Sequence, residues 1–158
     1  MKRILVIAAL ALAAVLGRPA PAAADLTFFL GMSPTPELRG TRGFAAGINM
    51  LVIGFEFDYS HTSEDTAGGA PSLRTGMLNG IIMTPTKTQL YLTAGGGFYR
   101  EVLADDGKNG FGTNIGGGAK IPLLGPVNLR VDYRIYNLRG SARHKTPQRF
   151  YAGINFRF

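Results

Sequence analysis

"VNLRVDYRIY" (Val127–Tyr136) alternates without a break. Leu129, Val131, Tyr133 and Ile135 fall on one face, and Arg130, Asp132, Arg134 and Tyr136 on the other. A period of two residues belongs to a β-strand whose two faces meet different surroundings. The end of the chain repeats the pattern. In "RFYAGINFRF" (149–158), Phe150, Ala152, Ile154, Phe156 and Phe158 alternate with Tyr151, Gly153, Asn155 and Arg157. Chain ends usually fray in water, so an apolar strand running to the last residue needs a partner strand or a solvent other than water.

Moving outward from these two stretches, the same period recurs at regular intervals, at 26–32, 44–50, 53–61, 73–83, 89–100 and 111–121. The spacing predicts eight strands of about ten residues, the length of a tilted strand crossing a bilayer. "LRTGMLNGIIM" (73–83) is apolar on both faces, so its phase stays open. "TPTKT" (84–88) and "PLLGP" (122–126) read as tight turns. Residues 33–43, 62–72, 101–110 and 137–148 read as longer polar loops. Short turns at one end and long loops at the other describe an outer-membrane barrel. The join between the second and third strands, "NMLVIG", lacks a strong turn residue before Gly54.

Composition agrees with a single all-β domain. Only 17% of the 158 residues are charged, against about 25% in soluble domains, and 22 are glycine. Lys2 and Arg3 precede the apolar run Ile4–Leu16, which is too short to span a bilayer, and small residues follow at Ala22 and Ala24. That is a signal-peptide pattern, predicting export with removal of residues 1–24 and a barrel domain over 25–158. Loss of Lys2, Arg3 and Arg18 takes the formal net charge from +7 to +4. An excess of that size suits anionic surfaces and does not indicate nucleic acid. Without cysteine there is neither a disulfide nor a lipid-anchored N-terminal cysteine.

Residue size decides which face is wet. The polar face carries Ala45, Gly47, Gly95, Gly97, Gly112, Gly116, Gly118 and Gly153, whereas most phenylalanines lie on the other face. An eight-stranded barrel has room inside only for its own side chains. A soluble barrel with Phe and Leu outside would present one large apolar patch to water. Small and polar inside with bulky and apolar outside is therefore the membrane arrangement, and in lipid the last strand must bond to the first to leave no open edge.

"GINFRF" resembles the C-terminal assembly signal of bacterial outer-membrane barrels, at Gly153, Phe156 and Phe158. "GFEFDY", "TAGGGFYR", "NIGGGAKI" and "LRVDYRIY", in that order, are similar to segments of the small OmpA-like and opacity-type barrel family. The resemblance covers nearly the whole exported chain. It implies an eight-stranded antiparallel transmembrane β-barrel in the outer membrane of a Gram-negative cell, with both termini periplasmic. It also implies contact with the barrel-assembly machinery during biogenesis. It does not imply one activity, because the fold hosts several.

The inward set predicted from the alternation includes Glu56, Asp58, Lys120, Arg130, Asp132, Arg134 and Arg157. Mutually paired, these charges make a plug; unpaired, an ion path and a narrow channel. Pairing is the expectation, since buried charges need partners and both signs are present. The glycines of the sixth strand, facing the seventh, leave space for Arg130 and Arg134. Neither "AGGGFYR" nor "NIGGGAK" has the spacing of a phosphate-binding loop. The two histidines, His61 and His144, are too far separated in the pattern for a metal site, so no cofactor is expected. Arg139, Arg143, Lys145 and Arg149, without a nearby acid in sequence, suit lipopolysaccharide phosphates or an ordinary solvated loop. "YSHTSE" resembles the serine–histidine motif of outer-membrane lipid A deacylases at His61 and Ser63, with Glu64 in place of the asparagine and the motif early rather than late in the barrel. The expectation is a monomeric, non-enzymatic barrel acting structurally or through its loops, with the deacylase as the alternative.

Overall fold

The computed structural model describes residues 22–158, in which eight strands follow one another: β1 (Ala23–Ser33), β2 (Arg39–Met50), β3 (Ile53–Thr62), β4 (Ser72–Met83), β5 (Gln89–Leu103), β6 (Asp106–Leu124), β7 (Val127–Leu138) and β8 (Gln148–Arg157). The expected signal peptide lies outside the described residues as far as residue 21; Ala23 and Ala24 already belong to β1.

Each strand pairs antiparallel with its sequence neighbours, and β8 returns to β1, closing the sheet. Leu26 pairs with Phe156 and Thr27 with Asn155. The final residues complete the closure: the Phe158 amide donates to the Ala24 carbonyl and the Arg157 amide to the Pro126 carbonyl, both at 2.8 Å. The terminal strand is apolar on one face because it is an ordinary stave of this wall. Both ends of the described chain lie at one rim, with the turns at 51–52, 84–88 and 125–126. The segments 34–38, 63–71, 104–105 and 139–147 lie at the other.

The alternation sorts large from small as the sequence predicts. Leu30, Leu92 and Phe98 point outward and are more than 70% exposed, while Ala45, Thr27 and Asp58 point inward and are fully buried. The strand β4, whose phase was open, turns Leu73, Thr75, Met77, Asn79, Ile81 and Met83 inward. Inside, Leu73, Met77, Tyr99, Tyr136, Leu138 and Ala142 form an apolar cluster toward the long-loop rim. Ile81, Met83 and Tyr91 form a smaller one toward the other.

Two expected loops shrink. The strand β2 begins at Arg39, so the connection after β1 is 34–38 rather than 33–43. The expected loop 101–110 is instead a hairpin laddered as far as Leu103 and Asp106. Ala104 and Asp105 turn it with φ of 48° and 68°, two positive values as in hairpin turns that follow strand twist. Beyond the apolar band both faces of a strand are polar, so hydrophobic periodicity cannot register its continuation. The join after β2 turns on Leu51, at φ 45°. The strand β6 reaches Leu124 through a register shift between Pro122 and Leu124, at a proline that has no amide to give the ladder.

Candidate functional site: the charged interior and the outer wall

Between the two apolar clusters lies a layer of charge. Arg130 and Arg134 alternate on β7 with Asp132 between them, and all three point inward. Glu56 and Asp58 reach them from β3 across the barrel. Arg130 holds Glu56 through both terminal nitrogens. Arg134 Nη2 donates to Glu56 Oε1 at 2.8 Å, and its Nε donates to Asp132 Oδ1 at 2.9 Å. Arg130 and Arg134 are both 0% exposed. For arginines so buried, each missing partner would leave a charge stripped of water.

Two members of this layer were not expected there. Arg149 belongs to β8 and faces inward, donating to Asp58 Oδ1 and Oδ2 at 3.0 and 2.9 Å. It is therefore not a loop residue able to meet an outside anion. Asp25, in β1, receives Lys120 and the Asn49 amide. Conversely, Arg157 is no part of the interior network. The strand ends at this residue, and its side chain is exposed at the rim beside Lys87 and Asn128. Asp25, Glu56, Asp58 and Asp132 thus face Lys120, Arg130, Arg134 and Arg149, a layer with equal numbers of each sign. At the long-loop rim Glu101 and Arg39 are also buried, Glu101 against the Arg143 amide and Arg39 against backbone carbonyls of Thr35 and Ser63.

Aromatic rings and glycines make room for the guanidinium groups. The Phe29 and Tyr151 rings stack at 4.0 Å, with the Arg149 guanidinium 4.9 Å from the Phe29 centroid and 5.4 Å from that of Tyr136. The Tyr91 hydroxyl donates to Asp132 Oδ2 at 2.5 Å and accepts from Arg130 Nε at 2.8 Å. Gly116 is directly opposite Arg134; a Cβ there would lie 2.2 Å from the Tyr133 carbonyl oxygen and 2.8 Å from Arg134 Cγ. At Gly118 a Cβ would lie 2.6 Å from the Tyr91 hydroxyl.

The loop cations separate. Arg139 and Lys145 are exposed. Arg143 is paired with Asp106 at 2.6 Å, an acid far away in sequence that the β5–β6 hairpin brings alongside. The His61–Ser63 pair also divides. His61 is the last outward residue of β3, and its Nδ1 is buried without a hydrogen-bond partner. Ser63 lies past the strand, with its hydroxyl donating to the Gly40 carbonyl at 3.3 Å. Glu64 accepts from the Ala104 amide instead of orienting His61. At the C-terminus, Gly153 packs where a Cβ would meet the Phe28 carbonyl at 2.4 Å. Phe156 faces outward, half-buried, and Phe158 is 75% exposed at the rim.

No protein-family model matches the sequence, and no curated protein does either. Solved structures do share its architecture. The N-terminal β-barrel domain of Pseudomonas aeruginosa OprF is 14% identical with a TM-score of 0.65, covering 86% of this chain and 97% of that one. Neisserial surface protein A (NspA) is 18% identical with a TM-score of 0.65, covering 87% and 96%. Ail, the attachment invasion locus protein of Yersinia pestis, is 12% identical with a TM-score of 0.54, covering 87% and 98%. At such identities the likeness is one of fold: the chain is a closed, antiparallel, eight-stranded barrel of the kind found in outer-membrane proteins.

Proposed function

We propose that the protein is a non-enzymatic integral barrel of the outer membrane of a Gram-negative envelope, exported with loss of residues 1–24. That loss takes Ala23 and Ala24 from the start of β1 and leaves closure to the β1–β8 ladder from Asp25 to Met32. Its interior is occupied by side chains, and it acts structurally or through its loops. One observation carries this reading: the barrel is inverted, with phenylalanine and leucine outside and fully buried ion pairs inside. That is the reverse of what water selects. A narrow channel is the lesser reading, because an open path would leave the buried charges wet rather than paired. The termini and short turns face the periplasm, and the long-loop rim faces outward. Gly153, Phe156 and Phe158 serve recognition by the barrel-assembly machinery, and Arg139 and Lys145 are the loop positions open to lipopolysaccharide or a host surface. A surface role fits the name of the structurally similar attachment protein. The working unit is a monomer, since closure leaves no strand edge to pair, and no nucleic acid is involved.

Expression followed by fractionation tests the location. The protein is expected in the outer membrane, and an unheated sample is expected to migrate differently from a boiled one on a gel. Recovery as a soluble periplasmic protein would overturn both fold and function. Lipid A mass analysis of the same cells tests the absence of catalysis. Loss of one acyl chain, abolished by Ser63→Ala, would establish the deacylase instead.

A further inference from the structure

The register of four neighbouring strands sets Arg42, His61, Arg74 and Arg100 side by side: Arg42 opposite His61, His61 opposite Arg74, and Arg74 opposite Arg100. All four share the outward parity of their strands. The arginines are exposed and His61 is half-buried. Among the described residues, none of these side chains takes part in an ion pair, and His61 Nδ1 is buried with no partner. Nearby carboxylates are engaged elsewhere, Glu64 by the Ala104 amide, Glu101 by the Arg143 amide and Asp106 by Arg143.

Such a row is costly on its own. Like charges directly opposite on neighbouring strands destabilise the pairing, and a cation on the lipid-facing wall costs more the deeper it sits. With strands about 4.8 Å apart, the row spans roughly 14 Å. The next outward positions on the same strands are Phe44, Tyr59, Gly76 and Phe98. There Phe44 lies 5.8 Å from Tyr59 between ring centroids, and the Phe57 ring comes within 3.8 Å of where a Gly76 Cβ would be. A groove of 940 Å³ is lined by both chemistries, Arg42, His61 and Arg74 together with Leu30, Phe44 and Tyr59, and a second groove that shares Tyr59 and Arg74 with it is lined by Phe98 and Arg100. A soluble anion would meet only the cations. An amphiphile meets both.

We propose that this wall is a binding site for a phosphate-bearing lipid of the surrounding leaflet. The phosphate is gripped by Arg42, Arg74 and Arg100, and the acyl chains lie over Phe44, Tyr59 and Phe98. The guanidinium fork pairs with phosphate oxygens two at a time, and an anion across the row offsets its internal repulsion. The site rests on the membrane-embedded reading and is separate from the loop cations Arg139 and Lys145.

The test uses the purified full barrel in a zwitterionic detergent, with heat-shifted gel migration first establishing that each variant is folded. Diphosphoryl lipid A is the probe, followed by native mass spectrometry and by thermal unfolding. The wild type is expected to retain the lipid and unfold at a higher temperature with it. Arg42→Gln/Arg74→Gln/Arg100→Gln should bind it at least about tenfold more weakly, as expected for lost charge-assisted contacts, while unfolding no earlier than wild type when lipid-free. Arg139→Gln/Lys145→Gln should bind as wild type does. The proposal is overturned if the triple variant binds equally well, if dephosphorylated lipid A binds as tightly, or if inorganic phosphate at the same concentration displaces the lipid. Loss of binding in the loop variant alone would instead favour the loop as the anion contact. Absence of the heat shift in every sample would overturn the membrane reading itself.

Discussion

Arg149 shows how a single residue can be misplaced by its neighbours in sequence and recovered by its parity. It ends a basic run that begins at Arg139, and that run suggests a surface loop. Yet counting back in twos from Arg157 through Asn155, Gly153 and Tyr151 reaches Arg149, which the barrel turns inward onto Asp58. Charges adjacent in sequence part company wherever a strand begins between them. Asp25 is obscured differently: it stands at the expected new N-terminus, where a chain end carries no alternation before it, although it shares the inward parity of Thr27 and Phe29. The two ends of the same parity rule predict opposite consequences. Asp58→Ala strands Arg149 in the interior and should destabilise by about 3–5 kcal/mol, the usual result of removing one partner from a buried pair. Adding Arg149→Leu should recover most of that loss, because no unpaired charge then remains. Arg157→Gln, exposed at the rim, should change stability by less than about 0.5 kcal/mol. Urea unfolding of the barrels in lipid vesicles checks all three, and equal losses for Asp58→Ala and Arg157→Gln would argue against a paired interior.

At the scale of the element, β6 explains why a strand so rich in glycine is a strand at all. Glycine weakens a β-strand unless another group needs the space, and here the need is specific. Gly116 lies against the Tyr133 carbonyl and Arg134, and Gly118 against Tyr91. The run "NIGGGAK" could be read as making room for β7 because Arg130, Asp132 and Arg134 alternate so clearly there. The length of β6 could not, since its first residues extend beyond the apolar band, where no face is apolar. Gly116→Ala must push the β7 backbone aside and should cost about 1–3 kcal/mol, as overpacking does. Gly80→Ala is the control. Gly80 faces outward on β4, and its Cβ would meet nothing nearer than the Ala94 carbonyl at 3.9 Å, so the barrel should keep its stability. The comparison of unfolding midpoints separates a steric role for Gly116 from a general dislike of alanine in these strands.

For the whole molecule, the inversion of polarity was the feature most legible in the sequence, because it follows from residue size and alternation repeated over eight strands. Closure was legible too, since a sheet in lipid can have no free edge. What the pattern could not give was the pairing across the lumen: Glu56 to Arg130 and Arg134, or Asp58 to Arg149, depends on register and on shear around the barrel, neither of which is written in any one strand. On the proposed reading of an interior occupied by side chains, that pairing would govern permeation. An ion crossing the barrel must pass a layer in which Arg130, Arg134, Glu56 and Asp58 are each fully buried and in which the stacked Phe29 and Tyr151 rings stand beside Arg149. Clearing a path past Glu56 requires both arginines that share it to move together, and that leaves the carboxylate uncompensated in a low-dielectric interior. The purified protein in a planar bilayer is therefore expected to show no steady conductance of porin size. Brief closures and openings of a much smaller current would reflect rearrangement of the charged layer and should grow when Arg130→Ala and Glu56→Ala are combined, which removes one pair without leaving a net charge. A large, steady wild-type current would mean that the paired layer does not hold in the membrane, and with it the account of Arg149 and Gly116 would fail.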